Sequence, residues 1–504
     1  MLKTTNEVCV NLRQITAVLS VLLTLHASVA FPAPSDDLPS IGDSSGSAIS
    51  PEQEKKLGEM IMRRARQQVR IIDDPELNAY LHSLGYQLAA HSDNPGQPFD
   101  FFVVEDHSIN AFALPGGYIG MHSGLILTAE SESELAAVLA HEMAHVTQRH
   151  MARAYENAGM LSIPTAAALL AAILISTRSS EAGRAAMAAT TAGNAQMQIN
   201  FTRTNEQEAD DLGIRILSAS GFDPRSMPTF FERLQRASRY YNDTLPEFLS
   251  THPVTTTRIA ESRNRAEDYP RKTYQDSLGF QLMRARLRVL TADDPAKLVQ
   301  DYAAQIKAGQ YSNVAAWRYG YALSLEAAGR YDQARELLTE LLAKDKQRIA
   351  YIIALAQVEQ DMKNSKAALQ LLSDALKLYP DNGPLTLRYV NALLQDRQPR
   401  TARDILQTYM RHNPPNPDLY TLLARAAGEA GYPGEAHEAQ AEYFYLNGDT
   451  DSAIAQLEKA RQTTSADFYQ NSRIDSRLQL LKQEALEARK ASRRISRRAR
   501  ITRQ

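Results

Sequence analysis

The chain has 504 residues, with 58 acidic against 56 basic side chains for a formal net charge of −2. It is 23% charged and 44% hydrophobic, the balance of a soluble globular protein of two or three domains. The sole cysteine, Cys9, excludes a disulfide framework.

Lys3 and Arg13 precede the apolar run Ile15 to Leu25, and Ser28-Val-Ala30 puts small residues where a signal peptidase cuts. Residues 1–30 therefore read as an export signal, and a membrane anchor is disfavoured because spanning hydrocarbon takes about 20 apolar residues. Cys9 lies upstream of that run, so the mature chain would carry no thiol. Further along, Asp100-Phe-Phe-Val-Val-Glu105 and Asn110-Ala-Phe-Ala113, followed by the turn Pro115-Gly-Gly, read as strands separated by a loop. One of them is expected at a sheet edge, where unpaired N–H and C=O groups could take an extended polypeptide as an added strand.

Ser131 or Ser133 is a suitable N-cap for an Ala/Leu-rich helix that runs into His141-Glu-Met-Ala-His145. Helical residues four apart return to nearly the same face about 6 Å along, so both imidazoles can grip one metal ion. Neutral imidazole suits Zn²⁺, and Glu142 beside it can take a proton from activated water, which is the equipment of a metallopeptidase. A catalytic zinc needs three protein ligands and an open position. In the segment Phe201 to Leu217 the apolar stripe Ala209, Leu212, Gly213, Ile216 and Leu217 follows a helical period. That phase turns Glu206 inward as the third ligand and puts Asp210 one turn later, where it can accept the second N–H of a ligating histidine. Glu208 and Asp211 are expected to face solvent. Between the two metal motifs, the apolar stretch at 160–177 is interrupted by Pro164 and rich in alanine, and is expected to be a soluble helical insert.

From about residue 310 the pattern becomes repetitive. Ala334, Ala368, Ala402 and Ala436 are spaced by 34 residues, with Tyr331, Ser365, Pro399 and Pro433 three places earlier. Gly329, Tyr331, Leu338 and Leu341 fit the tetratricopeptide pattern, so a helical solenoid with a concave docking face is expected. The stretch Arg489 to Arg503 carries eight Lys/Arg and no acid, and reads as a disordered solvated tail; contact with a membrane surface is the weaker expectation, and nucleic acid is a poor partner for an exported chain.

Four segments resemble the gluzincin metallopeptidase family that includes HtpX, Oma and the prenyl-protein CAAX proteases. They are Asn110-Ala-Phe-Ala-Leu-Pro-Gly-Gly-Tyr-Ile119, His141-Glu-Met-Ala-His145, Arg203-Thr-Asn-Glu206-Gln-Glu-Ala-Asp210 and Ser250-Thr-His252-Pro-Val-Thr-Thr-Thr-Arg258. The signal and repeat tail make periplasmic members the nearest in kind. The resemblance implies one Zn²⁺ per chain held by His141, His145 and Glu206, with Glu142 as general base, Asp210 behind a ligand, and His252 at the active site. His252 then has two available roles: stabilising the oxyanion of the tetrahedral intermediate, or acting at rest as a fourth ligand that keeps the protease latent.

The implied fold is an α+β zincin-like domain, mostly helical with a small sheet, followed by an all-α tetratricopeptide-repeat solenoid. Expected boundaries are a signal at 1–30, a flexible linker at 31–50, the peptidase domain at 51–270, a helical connector at 271–309, the array at 310–487 and the basic tail at 488–504. The resemblance further implies a periplasmic endopeptidase that helps outer-membrane β-barrel proteins assemble and degrades those that stall, with the barrel-assembly machinery docking on the array. Two other readings stay open: a non-proteolytic repeat scaffold with a structural metal, and a membrane-anchored HtpX-like quality-control protease.

Overall fold

The computed structural model describes residues 49–157, 203–240, 247–309, 313–463 and 468–501. The export signal, nearly all of the 31–50 linker and the apolar insert at 160–177 lie outside the described residues. Among those described, no helix is long and apolar enough to cross a membrane.

Helix α1 (Pro51–Ala65) starts at a reciprocal cap between Ser50 and Gln53, and α2 (Pro75–Ala89) starts at Asp74, whose carboxylate accepts from the Leu77 amide. Three strands follow: β1 (Asp100–Val104), β2 (Ala111–Leu114) and β3 (Tyr118–His122), in the order β1-β3-β2. β3 pairs parallel to β1, with Asp100 opposite Tyr118, and antiparallel to β2, with Ala111 opposite Met121. The reversal from β2 to β3 needs glycine twice. Gly116 and Gly117 have φ of 80° and 87°, and a Cβ on Gly117 would lie 2.1 Å from the Pro98 carbonyl oxygen. The outer side of β1 is capped by the Ile71–Val104 bridge, whereas β2 forms the opposite edge of the sheet.

After α3 (Ser123–Thr128) comes α4 (Glu132–Thr147), capped by Ser131 and buried at every position from Glu132 to His145. Such all-round burial follows from its place between the sheet and α6 (Arg203–Ala219), with α5 (His150–Asn157) at its C-terminal end. Gly213 lets α6 approach closely, since a Cβ there would sit 2.6 Å from Met227 and 3.4 Å from the His141 amide nitrogen. Leu135, Leu139, Met143, Ile214 and Leu217 are essentially inaccessible, and each such side chain contributes about 1.5–3 kcal/mol. Helices α7 (Ser226–Tyr240), α8 (Glu247–Thr251) and α9 (Thr256–Glu267) close the layer over α4 and α6.

Beyond α9 the same apolar core continues, through Phe280, Leu282 and Leu287, into Tyr319, Leu338 and Val358 of the first repeats. The helix Leu278–Leu290 binds the parts together: Arg286 makes two hydrogen bonds to Asp74, at 2.8 and 2.6 Å, and lies 2.9 Å from Glu76. Paired helices then recur, each with its repeat alanine buried, from Val314–Ala327 to Pro433–Leu446. The last of these packs against both Pro417–Glu429 and Thr450–Thr463, as a shared element between two units would. The turns repeat as well, with left-handed residues at Gly329, Lys363, Arg397 and Gly431. Near the end of the array the chain returns to α1, where Tyr445 lies between the Arg63 and Arg477 guanidinium groups, 4.3 and 4.4 Å away. One expectation differs from the structure. The helix Phe468–Ile501 takes in the described part of the basic stretch that composition marks as a disordered tail, because Ala, Arg, Lys and Leu are strong helix formers whatever their net charge.

Candidate metal centre

His141 and His145 project from α4 with their Nε2 atoms 3.1 Å apart. Glu206 reaches them from α6, placing Oε2 3.6 Å from His141 Nε2 and Oε1 3.5 Å from His145 Nε2. His252 completes the group from just after α8, its Nδ1 3.4 Å from His141 Nε2 and 3.1 Å from Glu206 Oε1. One donor atom from each of the four falls within 4.8 Å of the others, and all four residues are buried. Glu142, fully buried, stands beside them with Oε1 3.4 Å from His252 Nε2, and the Ala113 amide of the edge strand β2 also pulls on its carboxylate.

A metal ion fits this arrangement on the structure's own terms. Unlike a water-filled polar pocket, the cluster points ring-nitrogen lone pairs and a carboxylate at one another, which is repulsive unless positive charge lies between them. Burial opposes charge on His141, yet Asp210 and Glu206 outweigh it and hold that ring up at about 10. Burial likewise pushes against ionised Glu206, but His252 and His141 keep its carboxyl well below the usual range. His145 goes the other way: burial, then the charge on His141, drive its ring well below the ordinary value. The site thus draws positive charge to the point where the donors converge but rejects it on both rings together. For Glu142, burial lifts the carboxyl above its ordinary value, with His252 and His141 opposing.

The residues picked from sequence are brought together: His141, His145, Glu206 and His252 in one cluster, Glu142 against it, and Asp210 3.0 Å from His141 Nδ1. Three others escaped sequence reasoning. Arg258 of α9, buried, makes paired 2.8 Å bonds to Asp210, approaches Glu206 Oε2 at 2.7 Å and donates to the Pro253 carbonyl at 2.9 Å. It therefore ties a carboxylate of the cluster, the Asp210 behind His141 and the His252 segment into one unit. Its place six residues after His252 was the available signal. His150 and Glu208 are the others: His150 contacts His145, and Glu208 contacts His150. Glu208 is half-exposed, as its helix phase suggests, but its carboxylate meets His150 instead of projecting into water alone.

Residues 75–266 match the profile of peptidase family M48, and residues 360–426 match a tetratricopeptide repeat. The beta-barrel assembly-enhancing protease of Escherichia coli (strain K12) is 36% identical over 472 residues, which cover 94% of this chain and 96% of that protein. The chain belongs to peptidase family M48. The putative beta-barrel assembly-enhancing protease of Vibrio cholerae is 39% identical over 449 residues, 88% of this chain and 92% of that one. The mitochondrial metalloendopeptidase OMA1 of Arabidopsis thaliana is 31% identical over 167 residues, only 33% of this M48 chain and 31% of its own length. Membership in this family and the buried His-His-Glu-His cluster make the chain a metalloprotease with an appended tetratricopeptide array.

Proposed function

We propose that this chain is a zinc-dependent endopeptidase of the periplasm that helps outer-membrane β-barrel proteins assemble and degrades those that stall. The observation that carries the catalytic part is the convergence of four buried donor atoms beside a buried Glu142. The client part is carried over from the relatives that share nearly the whole length of the chain. The export signal read at 1–30 supports the compartment.

His141, His145 and Glu206 would hold the zinc, whose nitrogen-rich donor set is the one that ion favours. When bound, the ion supplies Lewis-acid activation of water and of the peptide carbonyl. Glu142 takes the proton of the attacking water and returns it to the leaving amine. Asp210 accepts from His141 Nδ1, which leaves the lone pair of Nε2 for the metal. β2 supports substrate binding: it is an edge strand packed against α4, the helix that carries His141 and His145, so an extended polypeptide could pair along it near the cluster. Main-chain pairing selects unfolded segments over particular sequences. The concave array would dock client or assembly machinery.

His252 has its Nδ1 inside the cluster and its ring stacked on Phe248 at 4.8 Å, which favours the role of fourth, silencing ligand at rest. Cleavage of an unfolded β-barrel protein by the wild type but not by Glu142→Gln is the expected result; equal cleavage by both would overturn the protease assignment of Glu142. A gain of cleavage in His252→Ala is expected for the latent state, and a loss would shift the ring to oxyanion stabilisation.

A further inference from the structure

We propose that His150 and Glu208 form a relay that positions His145, fixing the tautomer in which its Nε2 can serve as a ligand. This rests on the reading of His145 as a metal ligand. His145 Nδ1, on the side of the ring away from the cluster, lies 2.8 Å from His150 Nδ1, and His150 Nε2 lies 3.0 Å from Glu208 Oε2. Between two facing ring nitrogens one must donate. If His150 donated, His145 would carry its proton on Nε2 and be closed to a metal, and the bare His150 Nε2 would face a carboxylate. The opposite assignment satisfies every group: His145 Nδ1–H donates to His150, and His150 Nε2–H donates to Glu208. Arg153 donates to the same Glu208 oxygen at 3.3 Å. Glu208 therefore selects the tautomer of a ring two steps away.

The backbone is bent to make this contact. In an uninterrupted helix, a residue five places after His145 would be rotated about 140° from it. Instead α4 ends at Thr147, Arg149 adopts a left-handed φ of 53°, and α5 begins at His150, whose ring meets that of His145 edge-on at 4.8 Å. A long side chain in that conformation is strained. Arg149 is held there by bonds to the Ile49 carbonyl, at 2.7 Å, and to Glu54, at 3.2 Å. His141 gets the same service from one carboxylate, Asp210, so the two rings are oriented by different devices.

The test is zinc retention by the full-length mature protein in competition with a chromophoric chelator, with helix content checked by circular dichroism. His150→Leu, which removes the acceptor, and Glu208→Ala, on a half-exposed side chain, are each expected to weaken zinc binding about ten- to hundredfold. His150→Asn, whose amide oxygen can accept from His145 Nδ1–H, is expected to restore most of the affinity, and Asp211→Asn on the outer face of α6 to change nothing. Unchanged zinc affinity in folded His150→Leu and in Glu208→Ala would overturn the relay, as would His150→Asn binding as poorly as His150→Leu. Should His150→Leu fail to fold, Glu208→Ala decides alone. A wild type that binds no stoichiometric zinc would instead overturn the ligand reading beneath it.

Discussion

The metal centre and the repeat array bury their interiors by opposite means. In the array, small residues such as Ala368 and Ala402 let paired helices approach, and Leu372, Leu406 and Val390 fill the gaps, so stability is spread over many interchangeable apolar contacts. At the centre, buried polar side chains rely on specific partners: Asp210 on Arg258, His141 on Asp210, His145 on His150. Loss of a partner there leaves a charge stranded out of water, whereas a trimmed leucine in the array leaves only a small void. The repeats can therefore drift in sequence while the centre cannot.

Catalysis gives the largest test of that contrast. Glu142→Gln is expected to lower kcat about 10²- to 10⁴-fold, with zinc content and thermal midpoint unchanged. A comparable loss from an array substitution such as Leu372→Ala would erase the distinction. Next comes Arg258→Met, which strands Asp210 and Glu206 and is expected to cost about 3–5 kcal/mol of stability by chemical denaturation. Hydrogen exchange should accelerate in Arg203–Ala219 and Thr256–Glu267 and stay slow in Ser365–Leu378; uniform acceleration would argue against a local unit.

The junction between the regions is charged, and there the sign of a pH effect can be worked out. Glu76 is buried at the rim of a cavity of about 270 Å³ that Arg286, Arg388, Asn391 and Asp418 also line. Burial lifts its carboxyl to about 7 despite Arg286, which is already committed to Asp74. A carboxyl raised in the folded state favours folding below its unfolded value of 4.5, and that contribution fades as pH climbs through about 7. Wild type should thus lose up to about 3 kcal/mol between pH 4.5 and 8 at this site. Asp418, lifted by burial to about 6, acts in the same direction. Denaturation at pH 5 and pH 8 should show a flatter profile for Glu76→Gln, and an unchanged slope would remove Glu76 from the junction's energetics. The smallest effect belongs to the array turns. Lys363, left-handed with φ of 63° where Gly329 and Gly431 occupy the equivalent positions, should gain about 0.5–1 kcal/mol on Lys363→Gly, read as a higher denaturation midpoint.

What sequence could and could not reveal follows the same division. Helical period brought His141, His145, Glu206 and Asp210 to their faces, because each pair lies on one uninterrupted helix and geometry within a helix is local. The 34-residue alanine spacing exposed the array for the same reason. Arg258 was hidden because its partners sit on another helix, and His150 because the left-handed Arg149 breaks the period that would have put its ring elsewhere. Glu208 was read correctly as lying toward the outer face, but nothing local could show that α5 comes to meet it. The parallel pairing of β1 with β3 was likewise out of reach, since β2 intervenes in sequence but lies at the far edge of the sheet.

The most direct measurement is the zinc content of the purified mature chain beside Glu206→Gln, by elemental analysis after exhaustive dialysis. Expected are about one zinc per wild-type chain and a large loss in the variant, together with its proteolysis. Wild type free of stoichiometric zinc, or a variant that keeps full metal and full cleavage, would contradict a centre built on His141, His145 and Glu206.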